Sequence, residues 1–342
     1  MNNILSEDYR QIFFRTKNIH KCFKDKKILM VGSNGFLGQY FIKFFEELSA
    51  KYNFQLDAVD NLITSKKISK KIKKIKFMKR DISKLKITKQ YDYILFLAGI
   101  ASPYYYKKFP LDTIEVSYSG LKNCLSSIKN KKTKLVFFSS SEIYGDPDKK
   151  NIPTKETYRG NVSSYGPRSC YDEGKRIGET LCYIFNTNHN INTCIIRPFN
   201  VYGPGMAEND YRVIPNLIKS FLKKNIFKIY GSGNQTRSYC YITDAVVGFL
   251  NVIAKGGRGE IYNIGNPKEE IDLFNLINKF KKVVDNKIKI KRTAYPSSYP
   301  EDEPQRRCPD IRKSFRHFGF NPIVNLSEGL KRLVSHALSK SQ

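Results

Sequence analysis

Several features that define other protein classes are missing from this chain of 342 residues. It has no run of about 18 apolar residues, so the sequence predicts no membrane span. The first 27 residues hold no apolar core of the signal-peptide type, and we expect no secretion. The seven cysteines include no CxxC pair, and the four histidines are scattered. We therefore expect neither a disulfide framework nor a zinc site, and a cytoplasmic location.

Acidic residues are scarce, since 31 Asp and Glu stand against 60 Lys and Arg, giving a formal charge of +29. Eleven lysines and Arg80 lie between Lys66 and Lys89. A nucleic-acid surface is one interpretation. The run contains only Phe77 as an aromatic and matches no nucleic-acid motif, so we interpret it as a solvated face and expect no nucleic-acid partner. A positive field would also attract an anionic substrate.

The length predicts about two lobes, and a hydrophobic fraction of 40% can fill a sizeable core. Short apolar runs recur at residues 28–31, 55–59, 75–78, 93–97, 135–138 and 193–196. Amphipathic stretches separate them, among them 36–49, 113–128 and 169–185. This alternation predicts an α/β fold of Rossmann type, with a doubly wound parallel sheet covered by helices on both faces.

The amino-acid composition changes after Asn200, where Gly, Pro, Asn and Tyr become frequent. It predicts a smaller C-terminal α/β lobe with helices near 213–223 and 243–254. We divide the chain into an N-terminal leader at 1–26, a Rossmann domain at 27–200 and a substrate-binding lobe at 201–342, interleaved with the first.

A glycine-rich loop, GxxGxxG at residues 32–38, follows the first predicted strand and opens a predicted helix. Its glycines permit a tight turn and close approach of the backbone to a pyrophosphate, and the helix adds its N-terminal amides. Asp60 ends the next apolar run, where a carboxylate can bind both ribose hydroxyls and repel a 2′-phosphate. The pattern predicts NAD rather than NADP, with Asp81 as a candidate adenine contact.

A second pattern concerns proton transfer. Tyr171 and Lys175 are four residues apart, which places them on one face of a predicted helix. A nearby ammonium stabilises phenolate, so we expect a lowered pKa for Tyr171 and a role as base. Ser140 follows the fifth predicted strand, and its hydroxyl can hold the reacting oxygen; an N-cap or turn serine is the alternative interpretation.

Together, the 32–38 loop, Asp60, Ser140, Tyr171 and Lys175 resemble the extended short-chain dehydrogenase/reductases that act on nucleotide sugars. The resemblance runs from about residue 27 to 333. Nucleotide-sugar 4,6-dehydratases of this type typically carry an Asp-Glu pair, whereas this chain has Ser141-Glu142 and is similar to the UDP-glucuronate decarboxylases. The stretches 101–106, 166–176, 235–238 and 307–311 also resemble that group.

The resemblance implies a reaction sequence. Oxidation at C4 creates a ketone β to the C6 carboxylate, carbon dioxide is lost, and the returned hydride gives a product of the UDP-xylose type. It implies that Ser141 and Glu142 lie at the C5/C6 end of the sugar, and that Arg307 orients the carboxylate or helps the protonation. The implied residues for binding the UDP-sugar are Tyr106, Glu142, Asn200, Arg212, Tyr230, Arg237 and Arg307.

The complete predicted site follows from these patterns and the resemblance. The catalytic set is Ser140, Ser141, Glu142, Tyr171, Lys175 and Arg307. The NAD contacts are Gly32, Gly35, Phe36, Leu37, Gly38, Asp60, Asn61, Asp81, Ile82, Leu97, Ala98, Gly99, Tyr171 and Lys175. No metal is required.

Two positions depart from the typical decarboxylase, namely Gly205 in place of Arg and Ser117 in place of Asn. A 4,6-dehydratase or epimerase acting on another nucleotide hexose therefore stays open, as does a catalytically silent Rossmann protein that binds RNA or senses redox state. The resemblance also implies a homodimer, in which the helices predicted at 113–128 and 169–185 form a four-helix bundle with a second copy. Packing on their own sheet is the alternative for their apolar faces.

Overall fold

The computed structural model describes residues 4–65, 72–207, 210, 212–293 and 304–341; residues 66–71 of the lysine-rich run lie outside this part. The strands in these residues are β1 (Lys27–Val31), β2 (Gln55–Asp60), β3 (Ile75–Lys79), β4 (Tyr93–Phe96), β5 (Lys134–Phe138), β6 (Asn192–Pro198), β7 (Val201–Tyr202), β8 (Phe227–Tyr230), β9 (Thr236–Ser238), β10 (Cys240–Tyr241), β11 (Ile261–Ile264), β12 (Glu270–Asp272), β13 (Ile290–Thr293) and β14 (Arg306–Arg307).

The α-helices in the same residues are α1 (Ile4–Arg15), α2 (Phe36–Leu48), α3 (Pro103–Lys108), α4 (Pro110–Glu115), α5 (Leu121–Ser126), α6 (Ser169–Asn188), α7 (Val213–Leu222), α8 (Ile242–Lys255), α9 (Leu273–Val283), α10 (Arg312–Phe318) and α11 (Leu326–Ser341). A π-helical turn at Val116–Gly120 joins α4 to α5. Three 3-10 segments occur at Lys17–Phe23, Ser141–Tyr144 and Lys149–Asn151.

Seven parallel strands form the central sheet in the order β11-β6-β5-β4-β1-β2-β3. From β1 the chain moves outward to β2 and β3, and it then returns to the other side of β1 with β4, β5 and β6. The direction of winding therefore changes between β1 and β4, where a crevice opens beyond the carboxyl ends of the strands. The predicted doubly wound Rossmann-type fold is confirmed.

Both faces of the sheet are covered, as the alternation along β1 shows. Ile28 and Met30 enter the hydrophobic core that includes α2 and α8, whereas Leu29 and Val31 enter the core that includes α5 and α6. Side chains alternate between the faces of a strand, so a strand buried on both sides needs an unbroken apolar sequence. This is why the runs that form β1, β2, β4, β5 and β6 could be recognised as strands, whereas the edge strand β3 buries only Ile75.

The second half of the chain forms the C-terminal lobe and also adds a strand to the central sheet of the first lobe. Strand β11 pairs with β6 and extends the central sheet, although the sequence did not predict it. The remaining short strands form a three-stranded sheet, β12-β9-β14, and the two pairs β8-β13 and β7-β10. In the three-stranded sheet Arg237 of β9 lies in register with Arg307 of β14.

The segment predicted as a leader packs on the rest of the protein in its described residues. Helix α1 buries Asp8, whose carboxylate accepts hydrogen bonds from the Tyr241 hydroxyl at 2.6 Å and the Arg332 guanidinium at 3.1 Å. Arg15, at the end of α1, pairs with Asp244 at 2.6 Å. Burial raises the pKa of Asp8 to about 6, against the lowering effect of Tyr241 and Arg332.

Candidate functional site

A cleft of about 770 Å³ opens at the carboxyl ends of the central strands, at the change of winding direction. Its walls come from three parts of the chain: the 32–38 loop, the segments after β4 and β5 together with the start of α6, and the second half. Ligands of doubly wound α/β proteins bind in this position. Of the predicted site residues, those that line the cleft are Gly32, Gly35, Phe36, Leu37, Gly38, Leu97, Gly99, Tyr106, Ser140, Ser141, Glu142, Tyr171, Lys175, Asn200, Arg212, Tyr230, Arg237 and Arg307.

The glycine-rich loop fits the close approach of a pyrophosphate. Gly32 has a φ of +84°, and a Cβ built on it would lie 2.7 Å from the backbone nitrogen of Ala98. Only glycine combines this backbone conformation with contact between the ends of β1 and β4. Helix α2 begins at Phe36 with no acidic residue in its first turn, so the positive end of its dipole faces the cleft without a competing carboxylate.

Asp60 ends β2 beside this loop. Its carboxylate accepts hydrogen bonds from the backbone N–H groups of Asn34 and Leu62, each at 2.8 Å, and from the Ser65 hydroxyl at 3.3 Å. A carboxylate offers about four acceptor positions, so Asp60 retains capacity for a ribose hydroxyl. Its position fits the ribose end of a dinucleotide whose pyrophosphate lies on the loop.

Asp60 and the remaining predicted cofactor contacts lie outside the lining of the cleft. Asn61 is exposed and accepts a hydrogen bond from the N–H of Ile63 at 3.1 Å. Asp81 accepts two hydrogen bonds from Ser83, at 2.9 and 2.7 Å. Ile82 is buried in the hydrophobic core on the α5–α6 face. Ala98 supplies the backbone contact to Gly32 described above.

Tyr171 and Lys175 share one face of α6, and both are buried against the cleft. The Lys175 Nζ lies 5.8 Å from the Tyr171 ring centroid and donates hydrogen bonds to the carbonyls of Phe138 at 2.8 Å and Ala98 at 3.3 Å. A Cβ on Gly99 would lie 2.6 Å from this nitrogen. Glycine at this position therefore permits the lysine to reach the ends of β4 and β5.

Ser140 has the capping role that was the alternative interpretation of the sequence, and it also lines the cleft, where its catalytic role stays a prediction. It is the N-cap of the 3-10 segment Ser141–Tyr144, and its Oγ accepts a hydrogen bond from the Glu142 N–H at 3.2 Å. Its side chain also lies close enough to Tyr171 to lower the pKa of the phenol. The same serine thus fixes the turn that carries Glu142 and lies beside the phenol.

The expected lowering of the Tyr171 pKa is not found. Burial raises the pKa of Tyr171 to about 12, and the hydrogen bond from Ser140 opposes this only partly. Burial also lowers the pKa of Lys175 to about 7, so at neutral pH the lysine carries only part of its positive charge. Desolvation penalises the charged form of both groups, and the spacing in the sequence could not show how deeply they are buried.

Glu142 is held between two arginines from distant parts of the chain. The Arg307 Nη1 donates to the Glu142 Oε1, and the Arg168 Nη2 donates to the Glu142 Oε2. Burial alone would raise the pKa of Glu142, but the charges of Arg307 and Arg168 lower it to about 2. The carboxylate therefore stays ionised throughout the neutral range.

Arg168 and Asp172 belong to this cluster, and the sequence analysis assigned a role to neither. The Arg168 Nε donates to the Asp172 Oδ2 at 3.4 Å, one turn along α6. Burial and the charge of Glu142 raise the pKa of Asp172 to about 7. Both residues lie in the 166–176 stretch that carried part of the resemblance, yet their ionic contacts depend on the tertiary fold.

The remaining arginines reach the cleft from the second half. Arg237 and Arg307 are neighbours across β9 and β14, whereas Arg306 pairs with Glu270 at 2.7 Å through each of two nitrogens. Arg212 is held by the buried carboxylate of Asp210, at 2.8 Å from its Nε. These contacts orient planar guanidinium groups, which suit the oxyanions of a diphosphate.

Two uncharged polar side chains complete the wall of the cleft. The Asn200 Nδ2 donates to the carbonyl of Ser238 at 3.1 Å, which ties the end of β6 to β9. Tyr230 lies at the end of β8. Among the described residues, no group of His, Cys, Asp and Glu could hold a metal ion.

Comparison with known proteins agrees with this arrangement. The profile of the NAD dependent epimerase/dehydratase family matches residues 28–265. UDP-glucuronic acid decarboxylase 5 of Arabidopsis thaliana is 35% identical over 318 residues, which is 92% of this chain and 90% of that protein. UDP-glucuronic acid decarboxylase 1 of Danio rerio is 32% identical over 315 residues, 91% of this chain and 72% of that protein.

The fold has solved counterparts. The crystal structure of UDP-glucuronic acid 4-epimerase from Bacillus cereus, in complex with NAD, superposes with a TM-score of 0.78 at 24% identity. The match covers 92% of this chain and all of the epimerase chain. At this identity the comparison concerns the fold alone.

Proposed function

Because the chain belongs to the NAD dependent epimerase/dehydratase family, we propose that it removes the C6 carboxylate of a UDP-sugar, with UDP-glucuronate as the substrate. The observation that carries the proposal is the Glu142 carboxylate bound by Arg307 and Arg168 beside Tyr171. A pair of guanidinium groups at the reacting end of the cleft suits a substrate that brings its own carboxylate. The relatives named UDP-glucuronic acid decarboxylases support the same reaction.

NAD is the cofactor, and the glycine-rich loop, the start of α2 and Asp60 are the residues that would hold it. When bound, NAD accepts the hydride from C4 of the sugar and returns it at the end of the reaction. Asp60 would also repel the 2′-phosphate of NADP.

Oxidation at C4 requires a base, and Tyr171 is the group we assign to it. Ser140 would hold the C4 oxygen, since its side chain lines the cleft close enough to Tyr171 to influence the pKa of the phenol. The Lys175 ammonium would stabilise the phenolate that forms, because an opposite charge at this distance favours the ionised phenol. The pKa of about 12 for Tyr171 means that the phenol is protonated before substrate binds.

Decarboxylation then follows from the chemistry of a β-keto acid. The bond between C5 and C6 breaks, its electron pair passes into the C4–C5 enolate, and carbon dioxide leaves. A proton must then reach C5 before the hydride returns to C4. Glu142, Ser141 and Arg307 lie at one part of the cleft, and we assign the C5/C6 end of the sugar to them. We assign the nucleotide end to Arg212, Arg237, Asn200 and Tyr230, and the sugar also to Tyr106.

The decisive experiment is incubation of the purified enzyme with UDP-glucuronate and NAD. We expect carbon dioxide and a UDP-pentose in equal amounts, with no net consumption of NAD. Turnover of a UDP-hexose that has no C6 carboxylate, without gas release, would instead support an epimerase or a 4,6-dehydratase. Binding of RNA without turnover of any nucleotide sugar would support the silent protein considered from the sequence.

We also propose that the enzyme is a homodimer. Large apolar side chains are exposed on adjacent helices, at Leu111 and Ile114 on α4, Tyr118 on the π-helical turn, and Tyr183 on α6. Large apolar side chains exposed on neighbouring helices support an interface with a second copy. Two such helix pairs would form the four-helix bundle implied by the resemblance.

A cytoplasmic location and the division into lobes complete the proposal. All seven cysteines are free thiols, as expected in a reducing compartment. No helix of the described residues is long and apolar enough to cross a membrane.

For the division of the chain we retain 27–200 as the NAD-binding domain and 201–342 as the nucleotide-sugar-binding lobe, with β11 joining the two.

A further inference from the structure

An ion pair with little solvent exposure lies one turn beyond Lys175 on α6, between residues that have no role so far. The Glu179 carboxylate accepts hydrogen bonds from Arg197 of β6, from its Nε at 2.9 Å and from its Nη2 at 2.5 Å. Two parallel N–H donors give such a pair a directed geometry. The side chains of Arg197 and Glu179 are 6% and 13% exposed, so the solvent screens their charges only weakly.

Two further segments of the chain hold the guanidinium of Arg197. Its Nη1 donates to the Tyr144 hydroxyl at 2.7 Å and to the carbonyl of Glu156 at 2.8 Å. The Tyr144 hydroxyl donates in turn to the Asn263 Oδ1 at 2.8 Å. All three nitrogens of the guanidinium therefore have acceptors. Arg197 cannot turn away from Glu179 without breaking buried hydrogen bonds, and it joins α6 to the 3-10 segment that Tyr144 ends.

The surroundings of Lys175 contain few charges. From the ends of β4 and β5 its Nζ meets two backbone carbonyls and, 5.0 Å away, the ring of Phe137. From its own helix it meets Tyr171. Glu179 follows four residues later and shares this face of the helix. Because helical side chains lean toward the N-terminus, its carboxylate lies over the turn that carries Lys175.

Burial and Glu179 act in opposite directions on Lys175. Burial lowers the pKa of Lys175 to about 7, and the negative charge of Glu179 opposes the lowering. Arg197 is bound to the same carboxylate and offsets part of its charge. Without Glu179, the lysine would lose its proton at a lower pH, and a neutral amine does not stabilise a phenolate.

We propose that the Glu179 carboxylate is the counter-charge that keeps Lys175 in its ammonium form beside Tyr171, and that Arg197 fixes the place of this counter-charge and limits its strength. The inference rests on the proposed function, because it concerns the phenolate that forms during oxidation at C4. Neither Glu179 nor Arg197 lines the cleft. Both are therefore positioning residues that act through Lys175.

The first measurement needs neither NAD nor sugar. In each protein background, the melting temperature of the Lys175→Met variant minus that of the protein with Lys175 is followed from about pH 5 to pH 10.5, the ordinary pKa of lysine. The difference is constant below the pKa of Lys175 in the folded protein and decreases above it, because the unfolded chain then binds more protons. The pH at which the decrease begins, here called the onset, reports that pKa.

The two partners of the ion pair should shift the onset in opposite directions. Glu179→Gln should lower it by about one pH unit, because Lys175 loses an opposite charge. Arg197→Gln should raise it, because the carboxylate then acts on Lys175 without an offsetting cation. Tyr144→Phe removes a hydrogen bond of Arg197 but no charge; as the matched control it should leave the onset unchanged. An unchanged onset in Glu179→Gln, or shifts of the same sign in both charge variants, overturns the inference.

A second variant covers the case in which a single substitution prevents folding, since one partner of a buried ion pair is costly to leave alone. The double variant Glu179→Leu/Arg197→Met removes both charges and keeps apolar contacts. Its onset should lie below that of the parent, because the counter-charge is absent. An onset equal to that of the parent contradicts the proposal.

The second measurement is turnover of UDP-glucuronate with NAD near pH 7. Glu179→Gln should lower kcat several-fold and leave KM within about twofold, because the residue acts on the phenolate and not on sugar binding. A raised KM with an unchanged kcat overturns its role in the reaction. If no protein turns over UDP-glucuronate while the onset shifts as expected, the proposed function fails and the counter-charge of Lys175 stands.

Discussion

The ring of Tyr106 stacks on the ring of Tyr171, with centroids 5.8 Å apart and planes inclined by 15°. Tyr106 comes from α3 and Tyr171 from α6, and the two are packed in one small hydrophobic cluster. The stack fixes the plane of the phenol, while the nearby Ser140 side chain lowers the pKa of its hydroxyl. Orientation of the proposed base thus depends on a residue outside its own helix.

Two substitutions of Tyr106 distinguish the contribution of its ring from that of its hydroxyl. Tyr106→Phe keeps the stack and removes a buried hydroxyl that has no protein partner, so we expect a melting temperature no lower than that of the parent. If the hydroxyl bonds the sugar, KM should rise about tenfold, the loss of one hydrogen bond. Tyr106→Leu also removes the ring contact and should lower kcat. A destabilised Tyr106→Phe would contradict this account.

Tyr171→Phe tests the proposed base. The variant keeps the buried ring and loses the group that accepts the C4 proton, so reduction of bound NAD by the sugar should fall about 10²–10⁴-fold. The NADH absorbance after addition of UDP-glucuronate measures this step. Tyr183→Phe, on the exposed face of the same helix, should retain the parent rate, and an unchanged signal in Tyr171→Phe would refute the assignment.

Glu142→Gln should separate the two chemical steps. The C4 hydroxyl is oxidised at the Tyr171 end, so NADH should still form, but the amide cannot deliver a proton to C5. We expect product formation, and with it carbon dioxide release after the first turnover, to slow by about 10²-fold or more while NADH accumulates. Glu173→Gln, a half-exposed acid on α6, is the control. Equal slowing of both steps would make Glu142 a binding group only.

The buried Lys175 predicts a specific dependence of stability on pH. Burial lowers its pKa from the ordinary 10.5 to about 7, so between these values the unfolded chain binds more protons. The contribution of Lys175 to stability therefore rises as pH increases from about 7 to 10.5. Without NAD, the melting temperature of Lys175→Met minus that of the parent should decrease over this range by on the order of a few degrees.

Lys122→Met removes an exposed lysine and serves as the control for this measurement. A difference that stays constant from pH 7 to 10 would mean that Lys175 is not deprotonated on folding. The experiment requires no substrate and is therefore independent of the proposed reaction.

The proposed dimer predicts that a charge on the exposed apolar face prevents association. Tyr183 is 69% exposed and Leu111 is 79% exposed in the single chain, so Tyr183→Glu and Leu111→Glu should leave the monomer folded. Sedimentation velocity should show a dimer for the parent and a monomer for the double variant. Phe315→Glu alters an exposed apolar residue on α10 and should remain dimeric; a monomeric parent would contradict the proposal.

Strands β1, β2, β4, β5 and β6 could be predicted because their sequences carry the signal of burial on both faces. The edge strand β3 buries only Ile75 and was recognised from its place in the alternation of apolar runs and helices. Strand β11 could not be predicted, because its four residues, Ile261–Ile264, include Asn263, whose side chain is buried and hydrogen-bonded to backbone carbonyls. A buried polar residue that the fold satisfies is indistinguishable in the sequence from a loop residue. The same applies to α1, where the buried Asp8 obscures the packed face.

The candidate site was predictable where its groups follow a local motif. A local motif in the sequence predicted Tyr171, Lys175 and the glycine-rich loop. The two arginines that bind Glu142 do not follow such a motif, because Arg168 and Glu142 are 26 residues apart and Arg307 and Glu142 are 165 residues apart. Spacing cannot show that two guanidinium groups converge on one carboxylate. The degree of desolvation, which raises the pKa of Tyr171, is likewise a property of the folded chain.

The helix at the beginning of the chain also constrains how the protein is made. Asp8 is paired with Arg332, 324 residues later. During synthesis Asp8 precedes Arg332 by 324 residues, so this buried acid has no cationic partner from α11 until all of the chain between them has been made. Helix α1 therefore reaches its final environment only after α11 has been synthesised.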